Sequence, residues 1–88
     1  SNSSYISERG DQGKTPLMLK REGNEINIQV PEIYGDESII NIYKINGSLL
    51  YSLDTQYFQD HNVRLDFPGI YIIRLTGKES RVIQKFSF

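Results

Sequence analysis

Cysteine, tryptophan and alanine are absent from this 88-residue chain, and histidine and methionine occur once each, as His61 and Met18. Without cysteine there is neither a disulfide framework nor a thiolate-ligated zinc site, the usual props of so small a chain. One imidazole and one thioether leave almost nothing to ligate a transition metal or a haem, so no cofactor is expected. No run of eighteen apolar residues exists, which excludes a membrane-spanning helix from this sequence. A dominant charge is missing too. Ten basic and eleven acidic residues are mixed along the chain, and that balance gives no broad field for nucleic acid or an anionic membrane. Absence of cysteine fits cytosol and periplasm equally.

What is present is sheet material. Ile supplies twelve residues, Tyr six and Phe four, types that pack well on a pleated, half-buried surface. A domain of this size buries only about 60% of the surface its unfolded chain exposes. These side chains must therefore provide nearly all the stabilisation, with little left to hold strained catalytic geometry.

Residues 1–15 are polar, with Tyr5 and Ile6 as their only sizeable apolar groups. They read as a flexible arm, or one whose Tyr5 and Ile6 pack on a neighbouring surface. Ser1-Asn2-Ser3-Ser4 has neither the apolar nor the basic region of a signal peptide. It reads as an expression scar, the polar leader of a processed secreted protein, or an interdomain linker. Residues 16–88 then form one domain. Strands are expected over 17–20, 25–30, 38–45, 48–53, 63–67, 70–76 and 81–88, where apolar and polar residues alternate with period two. Ile40 and Ile42 should face the core, with Asn41 and Tyr43 facing out. Pro31 lacks the N–H a ladder needs and ends the second strand.

The turns carry sharper signals. Asn46-Gly47 suits a two-residue hairpin turn, in which both central residues take positive φ. Pro68-Gly69 suits the middle of a type II turn. Residues 54–62 show no period and form the longest internal loop. Seven short antiparallel strands, regular turn signals and no helix give an all-β fold, a seven-stranded immunoglobulin-like β-sandwich. Asp66-x-x-Gly69-x-Tyr71-x-Ile73 has the spacing found at the start of strand F in such domains, where the tyrosine hydroxyl ties to backbone at the inter-sheet corner.

Candidate chemistry is thin. His61, flanked by Asp60, is the only imidazole base, and Ser48, Ser52 and Ser80 are the hydroxyls that would accompany it in a triad. No Gly-x-Ser-x-Gly elbow is present, so His61 reads as a solvent-exposed loop histidine. Asp36-Glu37 and Asp54, Asp60 and Asp66 lack the spacing of a calcium loop and read as solvated turn acids. The C-terminal quarter is mildly basic, through Arg64, Arg74, Lys78, Arg81 and Lys85, which suits solvated strand faces and edge protection. Tyr57 and Phe58, in the long loop, either face a partner or fold inward to plug one end of the sandwich.

Three stretches together carry a family resemblance. They are Ile40-Asn41-Ile42-Tyr43-Lys44-Ile45-Asn46-Gly47-Ser48-Leu49-Leu50, then Val63-Arg64-Leu65-Asp66-Phe67-Pro68-Gly69-Ile70-Tyr71-Ile72-Ile73-Arg74-Leu75, and the closing Lys85-Phe86. Their order and spacing resemble an uncharacterised family of small secreted immunoglobulin-like proteins of gut Bacteroidetes. They are also similar to the C-terminal sorting domains of type IX secretion cargo. Both groups share an Ile-Tyr-x-x-x-Gly hairpin, a Gly-x-Tyr strand and a closing strand, and the similarity covers residues 24–88. Sorting domains begin with an Asn-Pro motif, where this chain has Glu22-Gly23-Asn24-Glu25; it also has an extra strand at 17–20. The resemblance therefore implies a non-enzymatic module exported to the periplasm, outer membrane or cell exterior, binding or structural in role. The alternative it leaves is a sorting domain whose terminal strand from Val82 routes an attached cargo. The expected partner is another protein, met at the 54–62 loop with Tyr57, Phe58 and His61, at the Gly35-Asp36 loop, or at a sheet edge. A monomer and a strand-paired dimer both fit.

Overall fold

Alternation of side chains builds seven strands in the computed structural model, which describes residues 16–34, 37–55, 60–78 and 81–88. They are β1 Met18–Glu22, β2 Glu25–Gln29, β3 Ser38–Lys44, β4 Leu49–Thr55, β5 Asp60–Arg64, β6 Ile70–Thr76 and β7 Arg81–Ser87. Two antiparallel sheets result, ordered β1-β2-β5 and β4-β3-β6-β7. A single 3-10 turn over Glu32–Tyr34 is the one helical segment among the described residues. The expected arm over residues 1–15 lies outside them.

Period two decides what is buried. Ile40 and Ile42 of β3, Ile73 and Leu75 of β6, and Val82 and Phe86 of β7 point inward from one sheet; Leu19, Ile26, Ile28 and Val63 point inward from the other. All belong to one hydrophobic cluster, as two sheets packed face to face require. Each such side chain contributes about 1.5–3 kcal/mol by leaving water. The chain enters this sandwich between its sheets. Leu17, just before β1, exchanges two hydrogen bonds with the side chain of Gln84 on β7.

Three sequence expectations need correction. The β3–β4 connection is one residue longer than a two-residue turn: Gly47 N–H donates to Lys44 C=O and Lys44 N–H to Ser48 C=O, both at 2.9 Å. The loop is thus Ile45-Asn46-Gly47, the three-residue hairpin form closed by a glycine at positive φ, here +97°. Asn46 contributes through its side chain, whose Oδ1 accepts from Ser48 N–H. Leu50 is then an extra residue on β4, where the register slips between Ile42 and Tyr43.

Pro68-Gly69 does not form the type II turn, which needs φ near +80° at its glycine. Gly69 sits at φ +152° and exchanges both backbone hydrogen bonds with Phe88. It extends the β6–β7 ladder in a conformation open to glycine alone. Finally, β5 begins at Asp60, because Asp60–Arg64 pair along the whole of β2, and β4 runs on to Thr55. Of the expected 54–62 loop only 56–59 lies between strands, and those residues are outside the described set.

The hydroxyl of Tyr71 donates to Phe67 C=O, four residues upstream, and Tyr71 and Ile73 are both buried. Tyr71→Phe should cost about 1 kcal/mol, the net worth of one such bond. That would appear as a lower urea midpoint at unchanged slope. An unchanged midpoint would show that the corner contact carries no stability.

Candidate functional site

The residues singled out from the sequence do not converge. Tyr57 and Phe58 lie outside the described residues. His61 is not an exposed loop residue: it sits in β5 opposite Ile28, half-buried, on the inward face of the three-stranded sheet. Its Nε2 is buried without a hydrogen-bond partner. Ser52 lies in β4 opposite Asn41, on the outer face of the other sheet, and Ser48 is exposed beside the β3–β4 turn. Strand pairing therefore holds these hydroxyls on the opposite sheet from the imidazole. The acids scatter as well. Asp54 and Asp60 face solvent from different sheets, and Asp66 pairs with Arg64 at 3.2 Å in the β5–β6 connection. Among the described residues no group of three or more His, Asp or Glu is placed to hold a metal. No helix among them is long and apolar enough to cross a membrane.

Two other features gather side chains. The first is an open cleft of about 260 Å³ at the end of the sandwich that carries the β3–β4 turn, lined by Lys44, Leu50, Tyr51, Arg64, Leu65, Asp66, Phe67 and Tyr71. The chain folds so for local reasons. The bulge at Leu50 turns that residue out of the ladder, and the Tyr51 hydroxyl donates to Arg64 C=O at 2.6 Å, tying β4 to the end of β5. Leu65 is held by its N–H to Asn24 C=O, and Tyr71 by its bond to Phe67. Buried Leu65 and Tyr71 with half-buried Tyr51 make a fixed apolar floor, and Phe67 stands at its edge, 71% exposed. Arg64 has its carboxylate in Asp66, whereas Lys44 has no ion-pair partner among the described residues. The cleft is apolar inside with one uncompensated positive charge at its rim.

The second is the outer face of the four-stranded sheet. Ile39 of β3, Ile70 and Ile72 of β6 and Ile83 of β7 all alternate with buried neighbours and so point away from the core. Ile39, Ile70 and Ile83 are 37–45% exposed. Arg74 lies among them, its guanidinium 5.4 Å from the Tyr43 ring centroid and its Nε buried with no hydrogen-bond partner.

Neither Lys44 nor Phe67 stood out in the sequence, because a turn lysine and a phenylalanine beside a proline are ordinary there. The outer face did leave a signal: the doubled apolar pairs Ile39-Ile40, Ile72-Ile73 and Val82-Ile83 put apolar groups on both faces of a strand. Compared with models of protein families, with curated proteins and with solved structures, the chain matches none.

Proposed function

We propose that the chain is a non-catalytic immunoglobulin-like binding module, exported to the cell envelope of a Bacteroidetes bacterium. The strand order supports the fold assignment. With β1, β2 and β5 as strands A, B and E, and β3, β6 and β7 as C, F and G, the layout departs from the seven-stranded form only in β4. That strand joins C rather than E. The Tyr71 corner at the start of the sixth strand supports it further. Export rests on the resemblance of the hairpin and the Gly-x-Tyr strand.

The observation that carries the binding reading is the cleft between Lys44 and Phe67. Its volume is below the usual range for a whole small-molecule pocket and suits one side chain and its neighbours. An apolar floor with a single lysine at the rim selects an apolar group that carries a carboxylate, such as an apolar C-terminal residue of a peptide. The probes are N-acetylphenylalanine and its amide, titrated into isotope-labelled protein by NMR. Millimolar acid should move the amides of Lys44, Tyr51 and residues 65–67, and the amide should bind at least about threefold more weakly. Phe67→Ser should abolish the response with a nearly unchanged melting temperature, since that ring is exposed. No shift at millimolar acid, or equal affinity for both probes, would end this reading of the cleft.

A further inference from the structure

We propose that the outer face of the four-stranded sheet packs against the same face of a second copy of this chain, with the two-fold axis parallel to the strands. The two sheets of the sandwich differ sharply outside. On the three-stranded sheet the outward positions of β2 hold Glu25, Asn27 and Gln29, opposite Arg64, Asn62 and Asp60. On the four-stranded sheet they hold four isoleucines, Tyr43 and Leu49, interleaved with Asp54, Ser52, Asn41, Arg74, Thr76, Arg81 and Lys85. Large apolar groups set among charges of both signs on one sheet only mark an interaction surface.

The register fixes what a second copy would meet. Across β4-β3-β6-β7 the outward residues form rows: Asp54, Ile39, Thr76, Arg81; then Ser52, Asn41, Arg74, Ile83; then Leu49, Tyr43, Ile72, Lys85. An axis along the strands, lying in the contact plane, sets each row against its own reverse. Asp54 then opposes the second copy's Arg81, and by symmetry Arg81 opposes the second copy's Asp54. Asn41 opposes Arg74, which sets a neutral amide rather than a second cation against each guanidinium. Tyr43 meets Ile72, Ser52 meets Ile83, and Lys85 meets Leu49.

No cation faces a cation in this arrangement. An axis across the strands would instead lay β7 on β7, with Arg81, Arg74 and Lys85 crowded together, and charge disfavours it. Within one chain Asp54 and Arg81 stand three strand spacings apart, about 14 Å, too far to pair. Their complementarity is satisfied only between copies. Near-parallel strands across the contact are also the usual aligned packing of two sheets.

Size sets the strength. Four strands of seven residues cover about 450 Å² in plan per copy, so the dimer buries on the order of 1,000 Å², the lower end for a biological interface. A contact of this size falls among weak, transient interfaces, and dissociation in the micromolar range is expected. This face lies outside the sandwich and the cleft lies at its end, so the two readings stand or fall separately.

The test is sedimentation velocity of the whole chain from about 5 to 500 µM, the range in which so small an interface dissociates. Asp54→Arg, Arg81→Asp and the double variant are run alongside. Wild type should dimerise, each single variant should weaken association at least about tenfold, and the double variant should recover to within about threefold, because the swapped charges again oppose. Both exchanged positions are exposed, and circular dichroism should show that each variant is folded. A wild type that stays monomeric throughout, single variants that associate normally, or a double variant no better than the singles would overturn the proposal.

Discussion

Truncating Phe86 to alanine should cost about 3–5 kcal/mol, the range for removing a fully buried aromatic side chain. Phe86 is completely buried and lies directly opposite Tyr71 in the β6–β7 ladder. The rings stack at 5.7 Å between centroids, 22° from parallel. Losing the ring removes its own burial and opens a cavity next to the tyrosine whose hydroxyl fixes the inter-sheet corner. An 88-residue chain has about 4–13 kcal/mol of stability in total, and cysteine is absent, so no disulfide limits the loss. The loss takes most of the stability at the lower end of that range and should appear as a urea midpoint lowered in proportion, followed by far-UV circular dichroism. Phe86→Leu should lose about half as much, since leucine fills part of the space. A loss below about 1 kcal/mol for the alanine variant would show that the core relaxes around the site.

Phe86 illustrates what the sequence makes legible. Its inward position follows from alternation with Ile83, Lys85 and Ser87, and the same count places Ile40, Ile42, Ile73 and Leu75. Seven strands in two antiparallel sheets were readable for that reason, and Ile70–Thr76 is placed to the residue. Boundaries moved where pairing outweighs local pattern. Asp60, His61 and Asn62 look like loop residues because they are polar, yet β2 offers hydrogen bonds along its full length, and Asn62 repays its place by accepting from Asn27 Nδ2 at 2.8 Å. Glycine marked the right positions with the wrong geometry. Gly47 and Gly69 both need positive φ, but a dipeptide does not state how far the ladder continues on either side. The cleft was not legible at all, because it depends on a bulge at Leu50 and on two tyrosine hydroxyls that reach distant carbonyls. The outward isoleucines were written in the sequence, and alternation alone hides them by assigning one apolar face per strand.

Gln84 is the position where an apolar substitution should harm the core. It sits on β7 between Val82 and Phe86, fully buried, on the inward row. Its Oε1 accepts from Leu17 N–H at 2.5 Å and its Nε2 donates to Leu17 C=O at 3.3 Å, so one primary amide stands in for a missing strand partner. Gln84→Leu keeps the volume and leaves both groups of Leu17 unsatisfied, at about 1–3 kcal/mol each. Extra apolar burial and relief of amide desolvation offset part of that, so the net loss should be about 2–3 kcal/mol. Hydrogen exchange should show the damage first at Leu17 and in the β1–β2 hairpin, because the amide ties the entry to β1 onto the opposite sheet. Gln84→Glu separates hydrogen bonding from volume. Burial raises the pKa of the new carboxyl in the folded state. The protonated acid can still accept from Leu17 N–H and donate to its carbonyl, whereas the carboxylate cannot donate and is a buried charge. Folding then binds a proton, so the variant should be near wild type below about pH 4 and lose stability as pH rises through the folded pKa. Urea midpoints of the Glu variant and wild type at pH 4 and pH 7 give the comparison. A deficit of equal size at both would show that folding takes up no proton at this site, and would overturn the account of a buried carboxyl that replaces the amide only while it is protonated.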